Sequence, residues 1–348
     1  MDRVTVLVTG AGAPGIRGTV YSLAHNPEGR KVAIVGVDMK GDVVGRFLCD
    51  RFHQVSPGGS DRFIPDLLDV CDKEGVDVVL PQVTRELASL AEHRADFRKA
   101  GVAVAVSSAE AIARANDKCR LLDVAREIGV GFPEYHRART WAELEDAAGK
   151  LGFPFVVKPA VASGMRGFRE VHERIDRKRS FFDEKPDSTR VTLAELHGVI
   201  GDEFPELLVT EHLPGGEYSV DVLSTSSRTL AVVPRRRDLI RTGITFNGTV
   251  ERRADIIADC ERLTGAIGLE YAHGFQFKED AAGRPKLLES NPRVQGTMVM
   301  ATIAGANVIY GAVKLALGEA VPPMDVCWGT KLYRYWGGVG IGRGRVDV

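Results

Sequence analysis

The hydrophobic positions of the first hundred residues fall into short continuous runs separated by stretches of helical spacing. Val4–Val8, Lys31–Asp38, Val76–Pro81 and Val102–Val106 are near-continuously apolar, which predicts strands buried on both faces of a parallel sheet. Between them Val20, Leu23 and Ala24 share one helical face, Phe63–Cys71 repeats at helical spacing, and Glu86–Lys99 reads as a helix. Strands alternating with helices in this way predict a three-layer α/β unit.

The rhythm changes near residue 115. Asn116–Ile128 reads as a helix closed by Gly129. Thr140-Trp-Ala-Glu143 is a capping box opening the next helix, which stops at Leu151-Gly152. Phe153–Pro159 follows as a short strand and Ala160–Phe168 as a loop of small residues. His172–Phe204 is charged and predicts helical pieces with a loop around Lys185-Pro186. Leu207–Glu211, Glu217–Leu223, Leu230–Val233 and Phe246–Thr249 then read as strands, with Asn247-Gly248 as a hairpin turn. Ile256–Ile267 is a helix, and Gly274–Lys278 and Lys286–Ser290 face each other across Ala281–Arg284. This second half predicts an α+β domain on an antiparallel sheet.

Composition narrows the field of function. Lysines and arginines number 46 against 47 acids, a net charge of −1, so nothing draws the chain to nucleic acid or to an anionic membrane. Its 348 residues suffice for about two domains. Cys49, Cys71, Cys119, Cys260 and Cys327 lie far apart and form no zinc or redox motif. The chain enters a strand at Val4 without a signal-peptide core, and no apolar run reaches the roughly 18 residues of a membrane span, so a cytoplasmic protein is expected.

Two places offer phosphate chemistry. Gly10-Ala-Gly12-Ala-Pro-Gly15 is a G-x-G-x-x-G that follows a strand and opens a helix, and Asp38 lies 23 residues beyond Gly15. That pattern supports an NAD(P)-dependent oxidoreductase. A tight strand-to-helix turn calls for the same glycines, and Pro14 removes one amide from the loop. The second place is an ordered set of five elements. These are Asn116-Asp-Lys118, Phe155-Val-Val-Lys158-Pro159, the loop Ala162–Gly167, Glu211-His-Leu-Pro-Gly-Gly-Glu217, and Phe275-Gln276-Phe277 with Leu288-Glu289-Ser-Asn291-Pro-Arg293. Two lysines can bracket phosphates, a glycine-rich loop can close over them, and Glu289 and Asn291 project from one strand face as hard oxygen ligands suited to Mg²⁺.

At these residues the chain resembles the ATP-grasp superfamily, most closely the synthetase halves of the carbamoyl phosphate synthetase large subunit and stand-alone carboxylate–amine ligases. The resemblance implies a Rossmann-like, parallel-sheet pre-ATP-grasp domain over 1–115. A two-lobed α+β ATP-grasp domain would follow over 116–320, with lobes at about 116–205 and 206–320, and a C-terminal tail over 321–348. It implies that Lys118 and Lys158 contact the phosphates, and that Ser163, Gly164 and Gly167 belong to the loop over the triphosphate. Glu211, His212 and Leu213 would form the adenine hinge and Glu217 would hold the ribose. Gln276, Glu289 and Asn291 would be metal ligands, and Arg293 would meet the γ-phosphate, with Lys158 and Arg293 acting in catalysis. Gln276 stands where the wider superfamily has an acid. Neither a second synthetase half nor a glutaminase domain is present, so complete carbamoyl phosphate synthesis is not expected.

The activity implied is an ATP-dependent ligation in which a carboxylate becomes an acyl phosphate and an amine or other nucleophile displaces phosphate. ATP with Mg²⁺ (or Mn²⁺) is the expected cofactor set. The partners implied are small-molecule carboxylate and amine substrates, with a homodimer as a common assembly in similar proteins. A non-catalytic ATP-binding protein is the other alternative beside the oxidoreductase. Arg235-Arg-Arg237 with Arg241 forms the basic cluster, either a solvated face or a seat for a substrate carboxylate. Trp328, Tyr333, Tyr335 and Trp336 are expected to pack a tail.

Overall fold

In the computed structural model, which describes residues 3–161, 165–335, 337–341 and 345–347, the early apolar runs pair in parallel. They are β1 (Val4–Val8), β2 (Val32–Asp38), β3 (Arg51–Gln54), β4 (Val78–Leu80) and β5 (Ala103–Val104), in the order β3-β2-β1-β4-β5. Around them run α1 (Ile16–Ala24), α2 (Gly45–Leu48), α3 (Phe63–Glu74), α4 (Leu87–Glu92), α5 (Arg94–Lys99) and α6 (Ala109–Asn116). Alternate residues of β1 serve opposite faces: Val6 and Val8 join one core cluster and Leu7 another, with Phe63, Leu67 and Phe97. β3 is the strand the pattern did not predict. It is a half-exposed edge strand, Arg-Phe-His-Gln, and carries no apolar run. The helix expected over Glu86–Lys99 is two, broken at His93.

The chain forms two compact units. The first comprises residues 1–115, 217–276 and 290–348, and the second 116–216 and 277–289. The second contains α7 (Lys118–Glu127), β6 (Tyr135–Thr140), α8 (Trp141–Leu151), β7 (Phe155–Pro159), β8 (Arg169–His172), α9 (Arg177–Asp183), β9 (Arg190–Thr192), α10 (Leu193–Ile200) and β10 (Glu203–Glu211). Its sheet runs β6-β10-β7-β8-β9 over a core of Ala138, Leu144, Phe155, Val157, Val171 and Val209. Both arms of the Thr140–Glu143 capping box are formed. A second box, Thr192 with Glu195, opens α10 inside the charged stretch.

The remaining elements are β11 (Glu217–Ser224), β12 (Thr229–Arg241), β13 (Ile244–Val250), α11 (Ala254–Ile267), β14 (Tyr271–Glu279), β15 (Pro285–Asn291), α12 (Val299–Ile303), α13 (Val308–Ala316), β16 (Lys331–Tyr333), β17 (Val339–Ile341) and β18 (Arg345–Asp347). The sheet order is β15-β14-β11-β12-β13-β16. Asn247-Gly248 is not the hairpin turn: both residues lie within β13. The chain reverses at Thr242-Gly243, whose φ values are +48° and +76°, the positive pair that a two-residue hairpin turn needs. Gly248 answers a different constraint, since a Cβ there would sit 2.9 Å from the Arg236 carbonyl oxygen. Tyr333 and Tyr335 are 67% and 77% exposed rather than packed, and Trp336 lies outside the described residues. Among the described residues no helix is long and apolar enough to cross a membrane.

Candidate active site

The site residues named from sequence divide between the two units, and each group has its own local logic. In the second unit, the helix expected from Asn116 begins later. Asp117 caps α7 by accepting from the amides of Cys119 and Arg120 at 2.9 and 3.1 Å, which makes Lys118 the first helical residue. The Lys118 amide donates to the Ala160 carbonyl at 3.0 Å. Its ammonium group, with the side chain only 7% exposed, lies 3.9 Å from Glu289 Oε2. Lys158, on β7, donates from Nζ to the Leu288 carbonyl at 3.4 Å. Two cations therefore approach the same stretch of β15, at Leu288–Glu289. Two ammonium groups, one beside a partly exposed carboxylate and one on the neighbouring backbone carbonyl, are a fitting seat for a polyanion with its divalent cation.

The expected hinge is built from backbone bonds. Glu211 exchanges bonds with Glu134: its amide donates to the Glu134 carbonyl at 3.0 Å, and its Oε1 accepts from the Glu134 amide at 2.9 Å. Gly215 and Gly216 are tied to Glu279, whose backbone carbonyl and Oε2 accept at 3.0 and 3.2 Å. A Cβ on Gly215 would meet Glu279 Cβ at 2.6 Å. Leu213 is buried, while His212 is half-buried with Nε2 3.8 Å from Glu170 Oε1. Gly167 has φ +72° and rests against Pro159, leaving no room for a side chain. Ser163 and Gly164 lie outside the described residues.

In the first unit, Glu217 opens β11 and is ion-paired with Arg237, a partner that sequence reasoning did not assign to it. Arg237 also donates to Thr245 Oγ1 at 3.0 Å, to the Gly243 carbonyl at 2.6 Å and to Gln276 Oε1 at 3.5 Å. Arg293 donates to Thr84 Oγ1 at 2.9 Å, to the Val294 carbonyl at 2.9 Å and to Asn291 Oδ1 at 3.3 Å. The basic cluster does not act as one patch. Arg235 is wholly buried against Asp221, Arg236 pairs with Asp238 and Glu251 at the surface, and Arg237 faces Glu217. A substrate carboxylate has no access to Arg235.

The residues expected to hold a metal divide between the units, Glu289 in the second and Gln276 and Asn291 in the first. Among the described residues no three His, Cys, Asp or Glu side chains form an all-protein metal cage. Mg²⁺ is commonly held by one or two carboxylates, with water and phosphate oxygens completing its shell.

The glycine loop at Gly10–Gly15 is occupied by the protein itself. The Gly12 amide donates to Asp38 Oδ2 at 2.8 Å, and Gly10 takes φ +61° against Val83. A Cβ on Gly15 would stand 2.7 Å from the Gly296 Cα. These glycines serve a close backbone approach within the first unit.

Comparison with known proteins gives two family matches. A family described as ATP-grasp in the biosynthetic pathway with Ter operon matches residues 203–332, and the PylC-like N-terminal domain matches residues 6–105. The carbamoyl phosphate synthase large chain of Clostridium perfringens (strain SM101 / Type A) is 23% identical over 281 residues, covering 77% of this chain and 24% of that protein. The chain spans less than half the length of the first curated relatives it matches. Two solved structures share the fold. The biotin carboxylase–β,γ-ATP complex of Campylobacter jejuni has a TM-score of 0.67 at 19% identity, covering 91% of this chain and 72% of that one. The biotin carboxylase domain dimer of Hydrogenobacter thermophilus 2-oxoglutarate carboxylase, with MgADP, ADP and bicarbonate, also has a TM-score of 0.67, at 16% identity, covering 94% and 73%.

Proposed function

We propose that this chain, whose residues 203–332 match an ATP-grasp family and residues 6–105 a PylC-like N-terminal domain, is an ATP-dependent carboxylate–amine ligase. The observation that carries the reading is the approach of Lys118 and Lys158 to β15 at Leu288–Glu289. Cations fixed beside a carboxylate favour the phosphates of a nucleoside triphosphate over an uncharged ligand. The substrate carboxylate attacks the γ-phosphoryl group, giving an acyl phosphate and ADP. An amine then attacks the acyl carbon and phosphate leaves. Fixed positive charge and alignment do this work without a covalent enzyme intermediate.

Within that reading, Lys118, Lys158 and Arg293 bear the phosphate charge, and Glu289, Asn291 and Gln276 hold Mg²⁺ or Mn²⁺. The bound metal ion shields the negative oxygens of the polyphosphate. Gly167 lies beside the phosphates, where exclusion of water protects the acyl phosphate. Glu211, His212 and Leu213 present backbone to adenine, and Glu217 receives the ribose once nucleotide competes with Arg237. The domain division at 115 and 320 belongs to this same reading. Small molecules are the partners, and a homodimer is in keeping with the neighbour described as a domain dimer.

An ADP-release screen with Mg-ATP and pairs of amino acids, small carboxylates, bicarbonate and amines tests the activity. ADP release is expected to require both a carboxylate and a nucleophile, and Glu289→Ala to lower it by about a hundredfold or more. Unchanged release in Glu289→Ala would overturn the site. A rise in melting temperature with NAD(P) and none with Mg-ATP would restore the oxidoreductase reading, since saturating ligand at 100 times Kd adds about 2.7 kcal/mol.

A further inference from the structure

In an open parallel sheet, ligands bind beyond the carboxyl ends of the strands where the strand order reverses. Here that reversal lies between β1 and β4. The residues that follow these two strands are polar and buried: Thr9, Gln82 and Glu86. Thr9 and Gln82 satisfy each other. The Gln82 amide donates to Thr9 Oγ1 at 3.0 Å and its Nε2 to the Thr9 carbonyl at 3.2 Å, while Thr19 donates to Gln82 Oε1 at 2.5 Å.

Glu86 is different. Only 9% of the residue is exposed, and its Oε2 is buried with no hydrogen-bond partner. Burial pushes its carboxyl up to about 7, with Asp38 adding to the rise and with Thr9 and Arg293 opposing it. Protonation does not resolve the deficit, because a carboxylate oxygen there lacks a donor and a carboxylic acid lacks an acceptor. Leaving such a group unpaired costs on the order of 1–3 kcal/mol. Gly58 packs so closely on this side chain that a Cβ would stand 2.4 Å from Glu86 Cγ. Asp38, at the end of β2, adds a second negative charge while its own oxygens accept the amides of Gly12 and Lys40 at 2.8 and 3.0 Å. Arg293, held by Thr84 Oγ1 at 2.9 Å, places a positive charge near the same carboxyl.

We propose that Glu86, beyond the carboxyl ends of β1 and β4, receives the ammonium group of the amine substrate. The proposal rests on the ligase reading above and names the chemical class of its second substrate. An ammonium group brings both the donor that Glu86 Oε2 lacks and the positive charge that two carboxylates favour.

Saturation-transfer NMR in the presence of Mg-ADP tests this, with the twenty common L-amino acids, methylammonium and ethylenediammonium as probes. At least one is expected to bind, its N-acetylated form is not, and Glu86→Gln should weaken binding at least tenfold. Gly58→Ala keeps the charge but displaces the side chain and should weaken the same amine. Mg-ADP affinity, measured by calorimetry, is expected to stay within twofold in both variants. If Mg-ADP binds and no amine does, or if amine binding survives Glu86→Gln, the assignment is overturned and a water molecule is the partner of Glu86. If the wild-type chain fails to bind Mg-ADP, the ligase reading itself falls and takes this assignment with it.

Discussion

Replacing Arg235 by methionine should destabilise the protein severely, for a reason visible in the buried geometry. Arg235 and Asp221 are both wholly buried, with Nε 2.6 Å from Oδ2 and Nη2 2.8 Å from Oδ1. The pair also grips the chain beyond Arg293. Arg235 Nη1 donates to Thr297 Oγ1 at 2.8 Å, and Gln295 Nε2 donates to Asp221 Oδ1 at 3.1 Å and to the Val220 carbonyl at 2.9 Å. Arg235→Met leaves a buried carboxylate without its counter-ion, which costs about 3–5 kcal/mol. Asp221→Asn leaves the guanidinium unpaired and costs a similar amount. If the two groups act as a pair, Asp221→Asn/Arg235→Met costs roughly as much as one single change, not the sum of about 6–10 kcal/mol. Guanidinium unfolding of the four chains, monitored by tryptophan fluorescence and far-ultraviolet dichroism, measures the cycle. A loss below about 1 kcal/mol in Arg235→Met, or strict additivity in the double variant, refutes the reasoning.

Two further predictions concern the first unit. His273 is wholly buried, with Nε2 3.0 Å from Thr264 Oγ1 and Nδ1 3.2 Å from the Tyr271 carbonyl, and burial pushes its pKa down to about 4. The unfolded chain takes up this proton more readily, so stability is complete above about pH 6.5 and falls as pH drops towards 4, by about 2 kcal/mol at pH 5. His273→Gln should remove that part of the pH dependence of the urea midpoint, and an identical slope in both chains would refute it. Gly15→Ala places a Cβ 2.7 Å from the Gly296 Cα and should cost about 1–3 kcal/mol. A selective loss of NAD(P) binding without loss of stability would contradict the packing role.

Much of the fold was legible because burial on both faces writes itself as unbroken apolar runs. Val4–Val8 and its neighbours announced the parallel sheet, and Thr140 with Glu143 announced a helix start. What escaped was polar or long. β3 is a polar edge strand that makes no apolar signal. β12 extends to Arg241 through exposed and charged positions, so only its first apolar residues were visible. The Thr192-Leu-Ala-Glu195 box has the same signature as the first, but it sits in a charged stretch read only as helical pieces, with no helix start assigned. Asn247-Gly248 carried the stronger turn signal, yet the chain turned at Thr242-Gly243. A glycine required for close strand approach and a glycine required for positive φ are indistinguishable in sequence.

The candidate site shows the same division between what motifs write and what only packing decides. Lys118, Lys158 and Glu289 were named because they lie in ordered motifs, but Glu86 belongs to none. Its signal is its position after β4 at a strand-order reversal, which needs the topology first. The arginine cluster was legible in principle. On β11 the acids Glu217 and Asp221 lie four positions apart, and on β12 Arg235 and Arg237 lie two positions apart. Side chains on a strand alternate between faces, so each set must share one face. The register sets Ser219 opposite Arg235 and Asp221 opposite Val233, which leaves Arg235 one diagonal step from Asp221, and continued past Tyr218–Arg236 it sets Arg237 opposite Glu217. Arg235 meets Asp221 in the core and Arg237 meets Glu217 at the strand's start, where Glu217 keeps 20% of its side chain exposed. The inner pair fixes the strand register on which the outer pair depends. Only the outer acid is accessible enough to exchange its arginine for another partner, which in the proposed ligase is a nucleotide hydroxyl, so on that proposal loss of the inner pair should disturb nucleotide recognition without touching it.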